Sequence, residues 1–180
     1  MDSATVAKGS FLALSLPVIL SACQRSQQAL EQGAGFRVFE ADEAADLTAI
    51  AARIIPTDDT PGATEAGVIY FLDTIFAEAR RASQLALLRE GLGALRGQLT
   101  TGGRPIHELT EAQQDQLLRD NEQTPFFATM RYLTIAGTFS LPRYGGNRDK
   151  VGYQLIGYED RGAWSAPYGF YDADYAERGE

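Results

Sequence analysis

Leu47-Thr48-Ala49-Ile50-Ala51-Ala52-Arg53-Ile54-Ile55-Pro56 decides the fold. Leu47, Ile50, Ala51, Ile54 and Ile55 recur at the i, i+3, i+4, i+7 spacing that places apolar residues on one helix face. Pro56 cannot continue such a helix and ends it. Thr57-Asp58-Asp59-Thr60-Pro61-Gly62 then reads as a turn-rich connection.

The same period repeats downstream. Val68, Phe71, Leu72, Ile75 and Phe76 share one side of a second helix, with Thr64 as its expected cap. A third, opened by Ser83, aligns Leu85, Leu88, Leu92, Leu95 and Leu99. Gly91, Gly93 and Gly97 weaken it, each by up to about 1 kcal/mol relative to Ala in a helix interior. Thr101-Gly102-Gly103-Arg104-Pro105 is a loop. Thr110-Glu111-Ala112-Gln113 matches a capping box, and Leu117 and Leu118 supply the apolar side of the helix it opens. Thr124-Pro125 is a further start signal, since proline is tolerated at the first helical position. Phe127, Met130, Leu133 and Thr134 continue that helix toward Gly137.

Beyond Pro142 the helical period fades, and Val151 to Tyr158 suggests one short strand. Six of the eight tyrosines and the only tryptophan lie between Tyr144 and Tyr175, interleaved with glycine. Such aromatics give large contact area with a polar handle and are enriched at interfaces. The expected fold is mainly α: an antiparallel helical domain with an irregular, Gly-rich aromatic C-terminal tail. Residues 1–22 read as a signal-like segment, 23–41 as a tether and 42–180 as the helical domain.

The chain has 180 residues and a net charge of −8. Residues 1–22 contribute one Asp and one Lys, so the acidity belongs to the body. That balance argues against nucleic acid, whose phosphates need clustered Lys and Arg. A single cysteine makes no internal disulfide and no multi-Cys metal site, and a single histidine makes no His-rich centre.

Phe11 to Ala22 is apolar, shorter than the roughly 20 residues needed to span a bilayer, and of secretory-signal length. It ends Leu20-Ser21-Ala22-Cys23, which resembles a bacterial lipobox. The resemblance implies cleavage before Cys23 and lipid attachment to its sulfur. Gln24 to Gly35 suits a tether, so peripheral membrane attachment is expected.

Candidate chemical groups are few. His107 lies in a Gly/Pro loop before a helix cap and reads as a surface or cap-adjacent imidazole. Asp58 and Asp59 could act as acid and base or hold a hard cation. No further acidic ligand follows at calcium-loop spacing, which favours a turn role. Gly145-Gly146-Asn147 lacks the spacing of a dinucleotide loop and reads as a tight turn with positive φ.

Taken in order, four segments resemble the small subunit (subunit 3, or gamma) family of membrane-bound gluconate 2-dehydrogenase. They are Ile54-Ile55-Pro56-Thr57-Asp58-Asp59-Thr60-Pro61-Gly62-Ala63 with Glu65-Ala66-Gly67-Val68; Leu109-Thr110-Glu111-Ala112-Gln113-Gln114; Thr124-Pro125-Phe126-Phe127; and Tyr144-Gly145-Gly146-Asn147 with Gly152 and Ile156-Gly157-Tyr158. The likeness runs from about Leu47 to Asp172. It implies a non-catalytic subunit of a periplasmic, membrane-associated complex, required for assembly and export of its partner. In that complex a large FAD-containing subunit of the glucose–methanol–choline type oxidises a sugar, sugar acid or alcohol. A multihaem cytochrome c subunit passes the electrons to quinone. FAD and haem c thus belong to partner subunits, and no cofactor is expected in this chain. Two departures stand out. Family members often start with a twin-arginine signal, whereas here Lys8-Gly9-Ser10-Phe11 follows Ala7, so either the start lies upstream or the export route differs. Tyr153 stands where the family pattern has tryptophan, which keeps an aromatic anchor.

The expected partner interface comprises Pro61, Gly62, Ala63, Tyr144, Gly145, Gly146, Asn147, Gly152, Tyr153, Gly157, Tyr158 and Tyr171. Two other classes stay open. One is a free-standing lipoprotein binding a small ligand or peptide through the aromatic patch. The other is a hydrolase using Asp58, Asp59 and His107.

Overall fold

The computed structural model describes residues 35–99, 104–161 and 178. Among the described residues six α-helices carry the fold: α1 (Ala41–Ile54), α2 (Val68–Phe76), α3 (Ala82–Gly97), α4 (Glu111–Asp120), α5 (Pro125–Phe139) and α6 (Val151–Leu155). Short 3-10 turns at Ala79–Arg81, Ile106–Glu108, Pro142–Tyr144 and Arg148–Lys150 join them, and no strand occurs among the described residues. The mainly helical class read from the periodicity is the observed one.

Helices α1 and α5 form the centre. α1 packs against α2, α4, α5 and the Ile106–Glu108 turn; α5 packs against α1, α2, α3 and α6. Leu47 and Ile50 of α1 meet Phe71 and Leu72 of α2 and Met130 and Leu133 of α5 in one buried core. Leu88, Leu92 and Leu95 of α3 close it, with Leu85 and Leu99 of the same stripe only partly buried. Fully burying a side chain of this size stabilises by roughly 1.5–3 kcal/mol, so these positions dominate the fold's stability.

Local signals set the helix starts where they are strongest. Thr110 Oγ1 accepts from the Gln113 amide while Gln113 Oε1 accepts from the Thr110 amide, completing the capping box. Thr124 Oγ1 accepts from the Phe127 amide, with Pro125 at the first helical position. Thr64 and Ser83 do not cap: α2 starts from Gly67 in the left-handed region at φ 70, and α3 starts at Ala82 behind a 3-10 turn. Neither site needs a polar side chain, because the preceding turn already folds the backbone into line.

Two further differences matter. Val151–Leu155 is a helix and not a strand. Residues 36–40, grouped with the tether by sequence, are fastened to the domain. Phe39 is buried in the core, and the Asp73 carboxylate accepts the backbone N–H groups of Arg37, Val38 and Phe39 at 2.9–3.4 Å. Cys23 and Tyr171 lie outside the described residues.

Candidate functional site

The Gly145-Gly146-Asn147 motif is a clasp within the chain. Gly145 and Asn147 adopt left-handed conformations, at φ 86 and 47. Gly146 serves close approach: a Cβ there would lie 1.9 Å from the Gly137 carbonyl oxygen of α5. Asn147 is fully buried. Its amide donates to Gly137 O at 2.7 Å, its Nδ2 donates to Ser140 O at 2.8 Å, and its Oδ1 accepts from the Gly152 amide at 2.8 Å. Gly152 is equally constrained, since a Cβ there would stand 2.0 Å from Thr138 O. The Arg148 amide donates to Ala66 O at 3.1 Å, tying the clasp to the turn before α2.

That clasp positions an aromatic corner. Gly157, at φ 66, ends α6. The Tyr158 amide donates to Tyr153 O at 2.8 Å and the Gly157 amide to Gln154 O at 3.2 Å, the two bonds of a Schellman cap. The cap stacks Tyr158 edge-on against the buried Tyr153, ring centroids 4.8 Å apart. Burial, aided by the charge of Asp160, pushes the Tyr153 phenol above its ordinary range. Tyr158 and its neighbour Ile156 remain 44% and 61% exposed.

The Pro61-Gly62-Ala63 turn is built the same way. A Cβ on Gly62 would lie 2.5 Å from Ile55 O, and the Ala63 amide donates to that oxygen at 2.9 Å. Glu65 accepts from Thr57 Oγ1 and the Gly62 amide at 2.6 and 2.9 Å. Asp58 accepts from the amide and hydroxyl of Thr60, which hold its carboxyl below the usual range.

The expected interface residues therefore divide. Gly62, Ala63, Gly145, Gly146, Asn147, Gly152 and Tyr153 are buried in the chain's own packing. Pro61 is half-buried, while Gly157 and Tyr158 reach solvent. Tyr144 closes the Pro142–Tyr144 turn.

His107 joins Asp46, while Asp58 bonds Thr60. Asp46 of α1 is 0% exposed. Its Oδ1 meets the His107 amide at 2.9 Å and His107 Nδ1 at 2.6 Å; its Oδ2 accepts from Arg96 Nε at 2.7 Å. Burial works to raise its pKa, but the bonds from His107 and Arg96 outweigh it and hold the carboxyl below its ordinary value. This network ties α1, α3 and the Ile106–Glu108 turn together. Sequence reading missed Asp46, although a carboxylate four residues before Ile50, on the buried face, was the available signal.

A second feature also escaped the sequence. An open groove of about 560 Å³ runs between the end of α1, α4 and the outer side of α5. Ile54, Leu118, Phe127 and Ile135 line it, with Arg119 and Arg131 among its cations. The clue was α5 itself, Pro125-Phe126-Phe127-Ala128-Thr129-Met130-Arg131-Tyr132-Leu133-Thr134-Ile135-Ala136-Gly137-Thr138-Phe139, which is apolar on both sides and carries one charge.

A family model described as gluconate 2-dehydrogenase subunit 3 matches residues 41–160, from the start of α1 to just beyond the Tyr158 corner. The chain belongs to this family, the small subunits of a multi-subunit dehydrogenase. No curated protein and no solved structure matches it.

Proposed function

We propose that this gluconate 2-dehydrogenase subunit 3 family member is the non-catalytic small subunit of a periplasmic, membrane-associated dehydrogenase. Its partner is an FAD-containing subunit of the glucose–methanol–choline type, which oxidises a sugar, sugar acid or alcohol. A multihaem cytochrome c subunit takes the electrons onward. The small subunit binds the flavoprotein and supports its assembly, export and stability, with lipid on Cys23 holding it to the membrane.

One observation carries the reading. The segment that ends the family match turns its glycines and Asn147 inward and presents Ile156 and Tyr158 outward on a Schellman-capped corner. An aromatic held this way loses little conformational freedom on binding, which is what makes such residues interface anchors.

Co-expression with the proposed flavoprotein subunit tests it. Tyr158→Ala is expected to weaken recovery of the pair by about 2 kcal/mol in binding, roughly thirtyfold in affinity, as for a central aromatic anchor. Flavin turnover per assembled complex is expected to stay unchanged. Equal recovery of Tyr158→Ala and the unaltered chain would remove this corner from the interface.

A further inference from the structure

The groove between the end of α1, α4 and the outer side of α5 leaves apolar surface in water. Phe127, Arg131, Ile135 and Phe139 follow one another at i, i+4 intervals, so they stand in one row along α5. Ile135 is 43% exposed, and the two phenylalanines are half-buried. The core draws on a different row, Phe126, Met130, Leu133 and Gly137, so its packing does not account for apolar residues on this side. From Phe127 to Phe139 the row runs about 18 Å at the helical rise, the length of about three turns of an opposing helix.

The charges beside the row are not balanced. Arg53 is held by Asp115 at 2.7 Å and by Glu111 at 2.9 Å. The other charged residues of the lining are Arg119, Arg131 and Glu122, all exposed. Neither Arg119 nor Arg131 forms a salt bridge among the described residues. The groove is thus locally cationic on a chain whose net charge is −8.

Those features select the occupant. A groove open along its length does not enclose a small molecule, whose sites bury most of the ligand. Pairing with the same groove of a second copy would set Arg119 and Arg131 against themselves, since a two-fold interface uses one patch twice. An amphipathic helix has the matching shape, with apolar residues for the α5 row and carboxylates for the two arginines. Thr138, next to Phe139 at the groove's end, has its carbonyl against Gly152 of α6, the helix that carries the Tyr158 corner. One partner covering the corner therefore meets the groove as well. We infer, on the reading that this chain is paired with a flavoprotein subunit, that the groove is a second contact with that subunit and takes from it an acidic amphipathic helix.

Pair affinity measured across a range of salt concentrations, with the proposed flavoprotein subunit, tests this. Ile135→Ser and Arg131→Glu both alter exposed positions, so far-UV circular dichroism of each variant is expected to match the unaltered chain. Each is expected to weaken the pair about tenfold at low salt, as for a contact within the buried part of an interface. The loss from Arg131→Glu is expected to shrink as ionic strength rises, because a rim charge is screened, whereas the loss from Ile135→Ser persists. Unaltered affinity in either variant, with Tyr158→Ala still weakening the pair, would overturn the groove contact and leave the subunit role standing. Failure of the unaltered chain to pair at all would remove both. Self-association of the isolated chain that Ile135→Ser abolishes would overturn the inference in favour of a second copy.

Discussion

Asp46 is a fully buried carboxylate held by one imidazole, one backbone amide and one guanidinium. Replacing it with Asn keeps the volume and removes the charge that His107 and Arg96 face. Breaking a buried pair from one side costs about 3–5 kcal/mol, and because Arg96 is partly exposed we expect Asp46→Asn to lose about 3 kcal/mol in urea denaturation at neutral pH. The folded chain holds the Asp46 proton less tightly than the unfolded chain does. The carboxylate's contribution is therefore complete above the unfolded-state pKa, near 4, and is lost as pH falls through the lower folded-state value. The stability gap between the two proteins should accordingly narrow in acid; a gap independent of pH would place the stabilisation elsewhere. Nothing adjacent to Asp46 in sequence could have announced this network, since His107 and Arg96 arrive from distant elements. Asn147 was readable in part, because Gly and Asn signal positive φ locally. That Gly146 and Gly152 let α5 carbonyls approach depends on packing, which the local sequence does not display.

Among the elements, the capping box at Thr110 and the proline start at Pro125 were legible because every partner lies within four residues. Val151–Leu155 was not. Five residues are too few to display a 3.6 period, and Val-Gly-Tyr-Gln-Leu alternates apolar and other residues as a strand would. What makes it helical is the Asn147 side chain accepting the Gly152 amide at its first turn. The glycines of α3 divide by environment. A Cβ on Gly91 would lie 2.5 Å from the Phe126 ring, whereas one on Gly93 would meet nothing within 4 Å. Gly93→Ala should stabilise the chain by up to about 1 kcal/mol through helix propensity. Gly91→Ala should destabilise it by about 1–3 kcal/mol through overpacking against Phe126. Thermal denaturation of the two variants, measured side by side, should move in opposite directions; movement in the same direction would contradict the packing of α3 on α5.

At the scale of the molecule, a small helical body fixes one aromatic corner and leaves one long apolar groove. The corner is rigid because its glycines and Asn147 are spent internally, and the groove exists because α5 is apolar on more than the face the core requires. Both features suit a protein that works by being held against another. The most direct measurement is light scattering on the chain co-expressed with the proposed flavoprotein subunit, alongside dehydrogenase turnover by each protein alone. The account predicts one stoichiometric complex, with turnover residing in the flavoprotein and this chain inert by itself. A chain that stays monomeric beside a fully assembled, active flavoprotein, or that turns over substrate unaided, would contradict it.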